Sequence, residues 1–364
     1  MSTTVFNINN KETKPFMFFG ENQDIYRIDK MVHPQFDKLS RRQKGFFWQP
    51  EEIDVTKDKR DFKNLDDGQR HIFTSTITYQ NMLDSVQGRG PSLALLPHCS
   101  LPEVEAFILW WSAMEQTHAD SYSYLVRNVY SDPTKVFDDS IIDPNIIERA
   151  KVTIKYYDDF IEASEKYRAG VSNISMFELK RKFLLMVVSI NILEGLSFFG
   201  SFACSFSFAQ NGLMAGNANI ISLIARDELL HLAGTQSMMK LWREGKDDPD
   251  FKTLYYQELD QMKEMYLNVV EQEREWADYL FSKGSILGLN ERIYVDYVEY
   301  IAGTRLRNLG IKHDFVTKNP LPWMLNYLES SNRQTSPQEN EKLEYVIGNI
   351  KQDIGEADFG HFRM

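Results

Sequence analysis

Cysteine is scarce in this chain of 364 residues. Only Cys99 and Cys204 are present, and neither belongs to a paired C-x-x-C motif. Two isolated cysteines exclude a disulfide framework and a thiolate zinc site, and they provide no evident redox dithiol. This usage fits a reducing compartment, so we predict a cytoplasmic protein.

Positive charge is also in short supply, because 41 Lys and Arg residues face 52 Asp and Glu residues, for a net charge of −11. Nucleic acids and anionic membranes both require a basic face, so neither is expected as the main partner. The start of the chain lacks a basic segment followed by an apolar run, and we predict no secretion signal there. A glycine-rich phosphate-binding loop is also missing.

Long apolar runs are limited to residues 183–206, which are long enough to span a membrane. Asn191 and Glu194 lie at the centre of this run, where a carboxylate is costly in lipid. The same pattern is typical of a helix at the centre of a large soluble bundle. We prefer the soluble interpretation, in which Glu194 requires a partner in the core.

Strand-like alternation is scarce, whereas apolar residues recur at helical spacing along most of the chain. Hydrophobic residues make up 43% of the sequence, enough for a large core. We predict an all-α protein, with Ser100 as one helix N-cap and Pro102 in the first turn of that helix. Long helices are predicted at about 61–87, 100–128, 176–210, 214–243, 252–282 and 289–308.

The chain divides into three parts by composition. Residues 1–60 are predicted to be a loop-rich segment that packs on a helical bundle at 61–325. Residues 326–364 are predicted to be a flexible tail, because 329–342 is polar and lacks aromatic residues. The tail ends in spaced hydrophobic residues, which favour either a partner-binding segment or a terminal helix docked on its own domain.

The stretch "MEQTHADSYSYL" contains Glu115, His118 and Tyr122, which lie on one face of a helix because they are three and four residues apart. Its flanks are largely apolar, so this face is expected to be buried. A second Glu-x-x-His occurs as Glu228 and His231 in "ARDELLHLAG". A single Glu-x-x-His motif is weak evidence for a metal site, since it often marks a solvated helix face.

A lone carboxylate precedes each motif on another predicted helix. Asp84 comes 31 residues before Glu115, and Glu194 comes 34 residues before Glu228. The duplicated pattern is the ligand set of di-iron and di-manganese carboxylate bundles. Carboxylates and neutral imidazoles suit iron and manganese, and four buried acids without metal would repel one another. The alternative is a set of separately satisfied core residues.

The whole sequence resembles a known protein family, the radical-generating small (β) subunits of class Ia ribonucleotide reductases. The resemblance runs essentially from end to end. The segments that carry it are "PFMFFG" (15–20), "FFWQPEE" (46–52), "MLDSVQGR" (82–89), "LEGLSFFGSFACSFSFA" (193–209), "IARDELLHLAGTQ" (224–236) and "EYVIGNI" (344–350).

The resemblance implies a ferritin-like bundle, a homodimer and two iron ions per chain, with manganese as a possible replacement. Its implied metal ligands are Asp84, Glu115, His118, Glu194, Glu228 and His231. In such a protein the di-iron site reacts with O2 and oxidises Tyr122 to a stable radical. The radical is then passed to a catalytic large subunit, which reduces ribonucleotides in a thioredoxin- or glutaredoxin-dependent reaction.

The resemblance also implies a relay of oxidising power through Trp48, Asp227 and Tyr345, with Tyr345 in the tail that binds the large subunit. Asp227 is chemically reasonable there, because a metal-bound imidazole usually donates its free N–H to a carboxylate. Trp48 alone would be interpreted as a core aromatic residue.

Helical geometry independently favours Tyr122 as the radical site, because it lies one turn after His118. Tyr124 is about 200° round the helix from Tyr122 and points away. Three apolar residues near the ligand positions are expected to form a dry wall around the radical, and they also serve as ordinary core: Phe198, Phe202 and Ile224.

Three other functions share part of this pattern. A ferritin-type iron store needs the ligands but no radical tyrosine and no tail. An oxygenase or desaturase needs an open substrate pocket, where this chain has bulky residues. A manganese-loaded radical subunit of the sister class has nearly the same ligands.

Overall fold

The computed structural model describes residues 16–20, 26–171 and 173–333, and each structural statement below concerns these residues. They form helices and contain no strand beyond isolated bridges, which confirms the all-α prediction. The helices are α1 (Pro34–Gly45), α2 (Thr56–Asn64), α3 (Asp67–Gln87), α4 (Gly90–Ala94), α5 (Pro102–Val129), α6 (Pro133–Ser140), α7 (Pro144–Arg168), α8 (Met176–Ile192), α9 (Phe198–Gln210), α10 (Ala215–Glu244), α11 (Pro249–Gln257), α12 (Leu259–Leu280), α13 (Glu291–Leu309) and α14 (Met324–Arg333).

Helices α3, α5, α9 and α10 form the centre of the bundle. Helix α3 packs on α5 and α9, and α10 packs on α5, α8 and α9. Helix α1 covers α5 and α10 from outside, and α12 and α13 pack together beside α8 and α9. The faces that carry the predicted ligands therefore point towards one another in the middle of the bundle.

Two of the central helices, α3 and α5, begin at recognisable signals, with one shift from the prediction. Asp66 caps α3 through a capping box, in which its side chain accepts from the Gln69 N–H and the Gln69 side chain accepts from the Asp66 N–H. Helix α5 begins at Pro102, but Leu101 occupies the N-cap position predicted for Ser100. The Ser100 Oγ instead accepts a bond from the Gly20 N–H at 2.7 Å.

Two predicted long helices are shorter or broken in the structure. Leu65 is extended and separates α2 from α3, because Asp66 must leave the helix to act as a cap. The helix predicted at 252–282 is interrupted at Glu258, whose carboxylate pairs with Arg181. Residues 1–60, predicted to be rich in loops, include α1 and the start of α2 in their described part.

The long apolar segment Met176–Gln210 is a core element. Its mean hydropathy reaches 1.9 over a window that is 100% buried inside the protein, so neighbouring helices occupy the place that lipid would take. The segment is not one regular helix. A π-turn, Leu193–Ser197, joins α8 to α9, and the Phe198 N–H bonds to the Leu193 carbonyl five residues back. Such turns widen a helix and are frequent at functional sites.

Helix α10 starts at an unusual junction. Met214 has φ 54°, in the left-handed region that few non-glycine residues adopt. The first N–H groups of the helix are bound by a carboxylate from another helix, since Asp58 of α2 accepts from Gly216 at 3.0 Å and from Asn217 at 2.5 Å. A tertiary contact thus replaces the local N-cap residue.

Candidate metal centre

The four central elements bring the six sequence-predicted ligands together in the middle of the bundle. Each side chain is fully buried, with 0% relative exposure. They are Asp84 on α3, Glu115 and His118 on α5, Glu194 in the π-turn, and Glu228 and His231 on α10.

The ligand atoms form two overlapping groups. Within each group, one atom from every residue lies within 4.8 Å of all the others. Glu115 and Glu228 belong to both groups. The remaining members are Asp84 and His118 in the first group and Glu194 and His231 in the second. The geometry therefore resembles two adjacent ion positions bridged by two shared carboxylates.

Both imidazoles turn their Nδ1 atoms towards the shared carboxylates. His118 Nδ1 lies 3.0 Å from Glu228 Oε1 and 3.4 Å from Glu115 Oε2. His231 Nδ1 lies 2.9 Å from Glu228 Oε2 and 3.1 Å from Glu115 Oε1. Both rings therefore present a possible ligand nitrogen to the same small space.

Many buried polar atoms of this cluster lack a hydrogen bond. They include both carboxylate oxygens of Asp84, one oxygen on each of Glu115, Glu194 and Glu228, and Nδ1 of His118. Buried polar atoms are normally satisfied, because an unpaired one costs about 1–3 kcal/mol. These oxygen and nitrogen atoms carry lone pairs that no hydrogen bond uses, and they face the same small space. Such an arrangement fits a binding site for divalent cations.

The electrostatics of the cluster also favour cations. Burial raises the pKa of Asp84 and of Glu194, and neighbouring carboxylates raise both further. Burial and Glu115 raise the pKa of Glu228 to about 8. Burial also opposes ionisation of Glu115, but the two imidazoles outweigh it and hold the pKa of Glu115 at about 2. Without metal, the cluster must hold protons to limit its negative charge.

Asp227 connects the cluster to Trp48 and Arg226. Its Oδ2 accepts from Trp48 Nε1 at 2.9 Å and lies 3.3 Å from His118 Nε2, while its Oδ1 accepts from Arg226 Nε at 2.9 Å. Burial raises the pKa of Asp227, but Arg226 and His118 outweigh that effect and leave it below its usual value. An ionised Asp227 keeps a proton on His118 Nε2 and leaves Nδ1 free for a metal.

Two further residues bind carboxylates of the cluster and a third binds one of these two, and none of the three was predicted from the sequence. Trp111 Nε1 donates to Glu115 Oε1 at 2.7 Å. Gln87 donates to Glu194 and accepts from the Tyr157 hydroxyl at 2.8 Å. Helical spacing could have identified two of them, because Trp111 lies four residues before Glu115 and Gln87 lies three after Asp84. Nothing local points to Tyr157.

Tyr122 is fully buried on the ligand face of α5, and its hydroxyl lacks a hydrogen-bond partner among the described residues. Burial and the charge of Asp84 raise the pKa of Tyr122 well above its ordinary value. Tyr124 points elsewhere, because its hydroxyl donates to the Ile53 carbonyl at 3.0 Å. The predicted wall residues are all fully buried: Phe198, Phe202 and Ile224. The rings of Phe198 and Phe202 stack with centroids 5.8 Å apart.

The remaining predicted site residue, Tyr345, lies outside the described residues, as does nearly all of the predicted tail.

The profile of one protein family, described as "Ribonucleotide reductase, small chain", matches residues 26–320. That range includes all six residues of the metal cluster and covers most of the chain. The chain belongs to the ribonucleotide reductase small-chain family. It is therefore the small subunit of a class I ribonucleotide reductase and part of an oxidoreductase, as the sequence motifs predict.

Individual members of the family match over the whole chain. The chain is 41% identical to ribonucleoside-diphosphate reductase 1 subunit beta of Escherichia coli O157:H7, covering 100% of this chain and 99% of that protein. The corresponding beta subunit of Enterobacteria phage T4 is 34% identical, with 99% of each chain covered. The ribonucleotide reductase R2 subunit from Clostridium botulinum is 26% identical and has a TM-score of 0.78, covering 90% of this chain and 98% of that one.

These similarities confirm the predicted family and the ferritin-like helical fold. They also contradict an iron-storage ferritin as the function of this chain.

Proposed function

We propose that this chain is the small subunit of a ribonucleoside-diphosphate reductase in which a di-iron site generates a radical on Tyr122. The observation that carries the proposal is the convergence of four carboxylates and two imidazole Nδ1 atoms, many without a hydrogen bond, beside a buried phenol. The names of the E. coli and phage T4 relatives support the nucleoside diphosphate as the substrate level.

Asp84 and His118 would hold one iron ion, and Glu194 and His231 would hold the other. Glu115 and Glu228 would bridge them, because they belong to both ligand groups. Four carboxylates balance the charge of two divalent ions, while Arg226 balances Asp227. When bound, two ferrous ions together with O2 would supply the oxidising power that removes an electron from Tyr122. Of the four electrons that convert O2 to water, two would come from the ions, one from Tyr122 and one from an external one-electron reductant.

Tyr122 would lose an electron and its phenolic proton together, because a charged phenol cation is costly in an apolar core. The candidate acceptor for this proton is the Asp84 carboxylate, whose charge acts on the buried Tyr122 phenol. The fully buried apolar side chains of the core exclude water and dissolved reductants. Phe198, Phe202 and Ile224 are proposed as the wall of the radical pocket.

Trp48 and Asp227 are proposed to carry oxidising power between His118 and the protein surface. Their hydrogen bonds form a continuous path from the indole to the imidazole. Tyr345 is proposed to continue the path to a separate large subunit bound by the tail. We retain 1–60, 61–325 and 326–364 as the proposed division of the chain, and a cytoplasmic homodimer as its proposed state.

Iron loading followed by EPR spectroscopy tests the function directly. The metal-free chain would be given two equivalents of Fe(II) and then O2. We expect a stable organic radical signal with tyrosyl hyperfine structure. Bound iron without any radical would contradict the proposal and favour a di-iron oxidase of another kind.

A dimanganese site is the second candidate, because carboxylate and imidazole ligands also suit manganese. The two metals can be compared by loading the chain with Mn(II) alone and exposing it to the same O2 solution. A Tyr122 radical that forms with iron but not with manganese and O2 favours the di-iron form. A radical that forms only in the manganese-loaded chain favours the alternative.

A further inference from the structure

Arg305 is a buried arginine on α13 that contacts the backbone of the π-turn. Its relative exposure is 2%, and its Nε donates to the Gly195 carbonyl at 2.9 Å. Among the residues that the structure describes, no acid forms an ion pair with it. A buried charge is costly unless it is compensated, so the backbone carbonyl is an important partner for this guanidinium.

The surroundings of Gly195 leave no room for a side chain at this position. A Cβ atom at this position would lie 2.7 Å from Leu232 Cδ1 and 3.1 Å from Arg305 Nε. Leu232 directly follows the ligand His231 on α10. The π-turn is thus held closely between the helix that carries His231 and the guanidinium of Arg305.

Arg305 binds the carbonyl of Gly195, and Gly195 is the residue immediately after Glu194. Moving a helix by one residue rotates its side chains by about 100°, so the π-turn geometry decides where the Glu194 carboxylate points. Gln87 binds the carboxylate itself, but it cannot fix the backbone that carries it. A fixed Gly195 carbonyl would supply this second restraint.

We propose that Arg305 is a positioning residue that fixes the π-turn and thereby aims Glu194 at the ion position it shares with His231. The inference rests on the proposed metal site. Asp84 and His118 are carried by α3 and α5 and belong to the other ligand group, so the loss of Arg305 should weaken one of the two ion positions selectively.

The test compares Arg305→Met, which keeps length and apolar volume, with Arg305→Lys and Gly195→Ala. Arg307→Met is the matched control, because Arg307 lies on the same helix and is exposed. Binding of Mn(II) alone would be followed by the EPR signal of the free ion. We expect Arg305→Met to bind the first Mn(II) normally and the second about 10–100-fold more weakly, the usual effect of losing a group that orients a ligand. The control should bind both ions normally.

Hydrogen exchange in the metal-free full-length chain gives a second readout. Residues 193–200 should exchange faster in Arg305→Met and in Gly195→Ala, but not in Arg307→Met. This comparison tests the contact even if the unmodified chain binds fewer than two Mn(II) ions, a result that would contradict the proposed function itself.

Unchanged exchange together with unchanged affinity for the second ion would overturn the inference. An equal loss of both ions from a folded Arg305→Met variant would also overturn it, because Arg305 would then support the core in general. Arg305→Met is judged to be folded from its circular dichroism melting curve. If it does not fold, Mn(II) binding and hydrogen exchange in Arg305→Lys and Gly195→Ala test the inference instead.

Discussion

Trp48 and Asp227 are 179 positions apart in the sequence and meet in the core, where the Trp48 Nε1–H donates to Asp227 Oδ2 at 2.9 Å. The same carboxylate oxygen lies 3.3 Å from His118 Nε2. One oxygen atom thus connects an indole on the segment after α1 with an imidazole on α5. This arrangement motivates the first prediction.

Trp48→Phe should preserve the metal site and the Tyr122 radical, because phenylalanine fills most of the indole volume and Trp48 is not a ligand. Turnover with the large subunit should fall to background, since phenylalanine is far harder to oxidise and cannot donate to Asp227. The radical would be measured by EPR and turnover by deoxyribonucleotide formation. Trp110→Phe is the control, because Trp110 is a half-buried tryptophan on α5 outside the hydrogen-bonded path. Normal turnover in Trp48→Phe would remove Trp48 from the relay.

Tyr122→Phe and Tyr124→Phe form a matched pair on one helix. Tyr122→Phe should still bind iron and consume O2 but show no stable tyrosyl signal, because the oxidisable hydroxyl is gone. Tyr124→Phe should keep the signal, since its hydroxyl bonds to Ile53 on the other side of α5. The assignment is wrong if the signal survives in the first variant and disappears in the second.

His118→Ala should lose at least one metal ion per chain, because the first ion position would keep only carboxylate ligands. Metal analysis of the loaded and desalted protein measures the loss. The unmodified chain should also melt at a higher temperature with Mn(II) than with a chelator, by an amount that rises with free metal concentration. Full metal content in His118→Ala would refute the ligand assignment.

Tyr345→Phe separates binding by the tail from radical transfer. The variant should bind the large subunit normally, since one hydroxyl adds little to an apolar contact, yet it should not turn over. Deletion of all residues after Glu341 should leave the metal site and radical intact and abolish turnover. A synthetic peptide of the last residues should compete with the intact chain. Normal turnover by Tyr345→Phe would mean that the tail only binds the large subunit and that Tyr345 is not part of the relay.

The stability of the fold should fall between pH 7 and pH 5 in part because of His98. Burial, and then Arg168, lower the pKa of His98 to about 4. The neutral His98 side chain stabilises the fold fully above about pH 6.5, the pKa of histidine in the unfolded chain. As the pH falls from there towards the pKa of His98 in the folded protein, this stabilisation is lost, because only the unfolded chain gains the proton. The expected loss from this residue is about 2 kcal/mol at pH 5.

His98→Gln cannot titrate but keeps a hydrogen-bonding group near Ser164, the present partner of His98 Nε2 at 2.8 Å. Urea unfolding of both proteins at pH 7 and pH 5 gives the difference between the two pH effects. The other titrating groups are common to both proteins and cancel. An equal loss of stability in His98→Gln and the unmodified chain would contradict the prediction.

Local pattern predicted the residues of the buried cluster on α5 because helical spacing alone places Glu115, His118 and Tyr122 on one apolar face. The same spacing identified the second Glu-x-x-His pair. By contrast, no local signal marks the π-turn, and the Arg305 side chain that binds its Gly195 carbonyl comes from 110 residues away. At the interruption, Glu258 likewise pairs with a distant residue, Arg181, 77 residues away. Tertiary contacts override helix propensity at these positions.

The cap that Asp58 provides for α10 has a consequence for the order in which the protein assembles. The carboxylate is synthesised more than 150 residues before the N–H groups it binds. The first N–H groups of α10 therefore gain this carboxylate partner only after α2 has docked beside the helix. Since α10 carries Glu228 and His231, the order of the proposed metal site is connected to the docking of a segment outside the central helices.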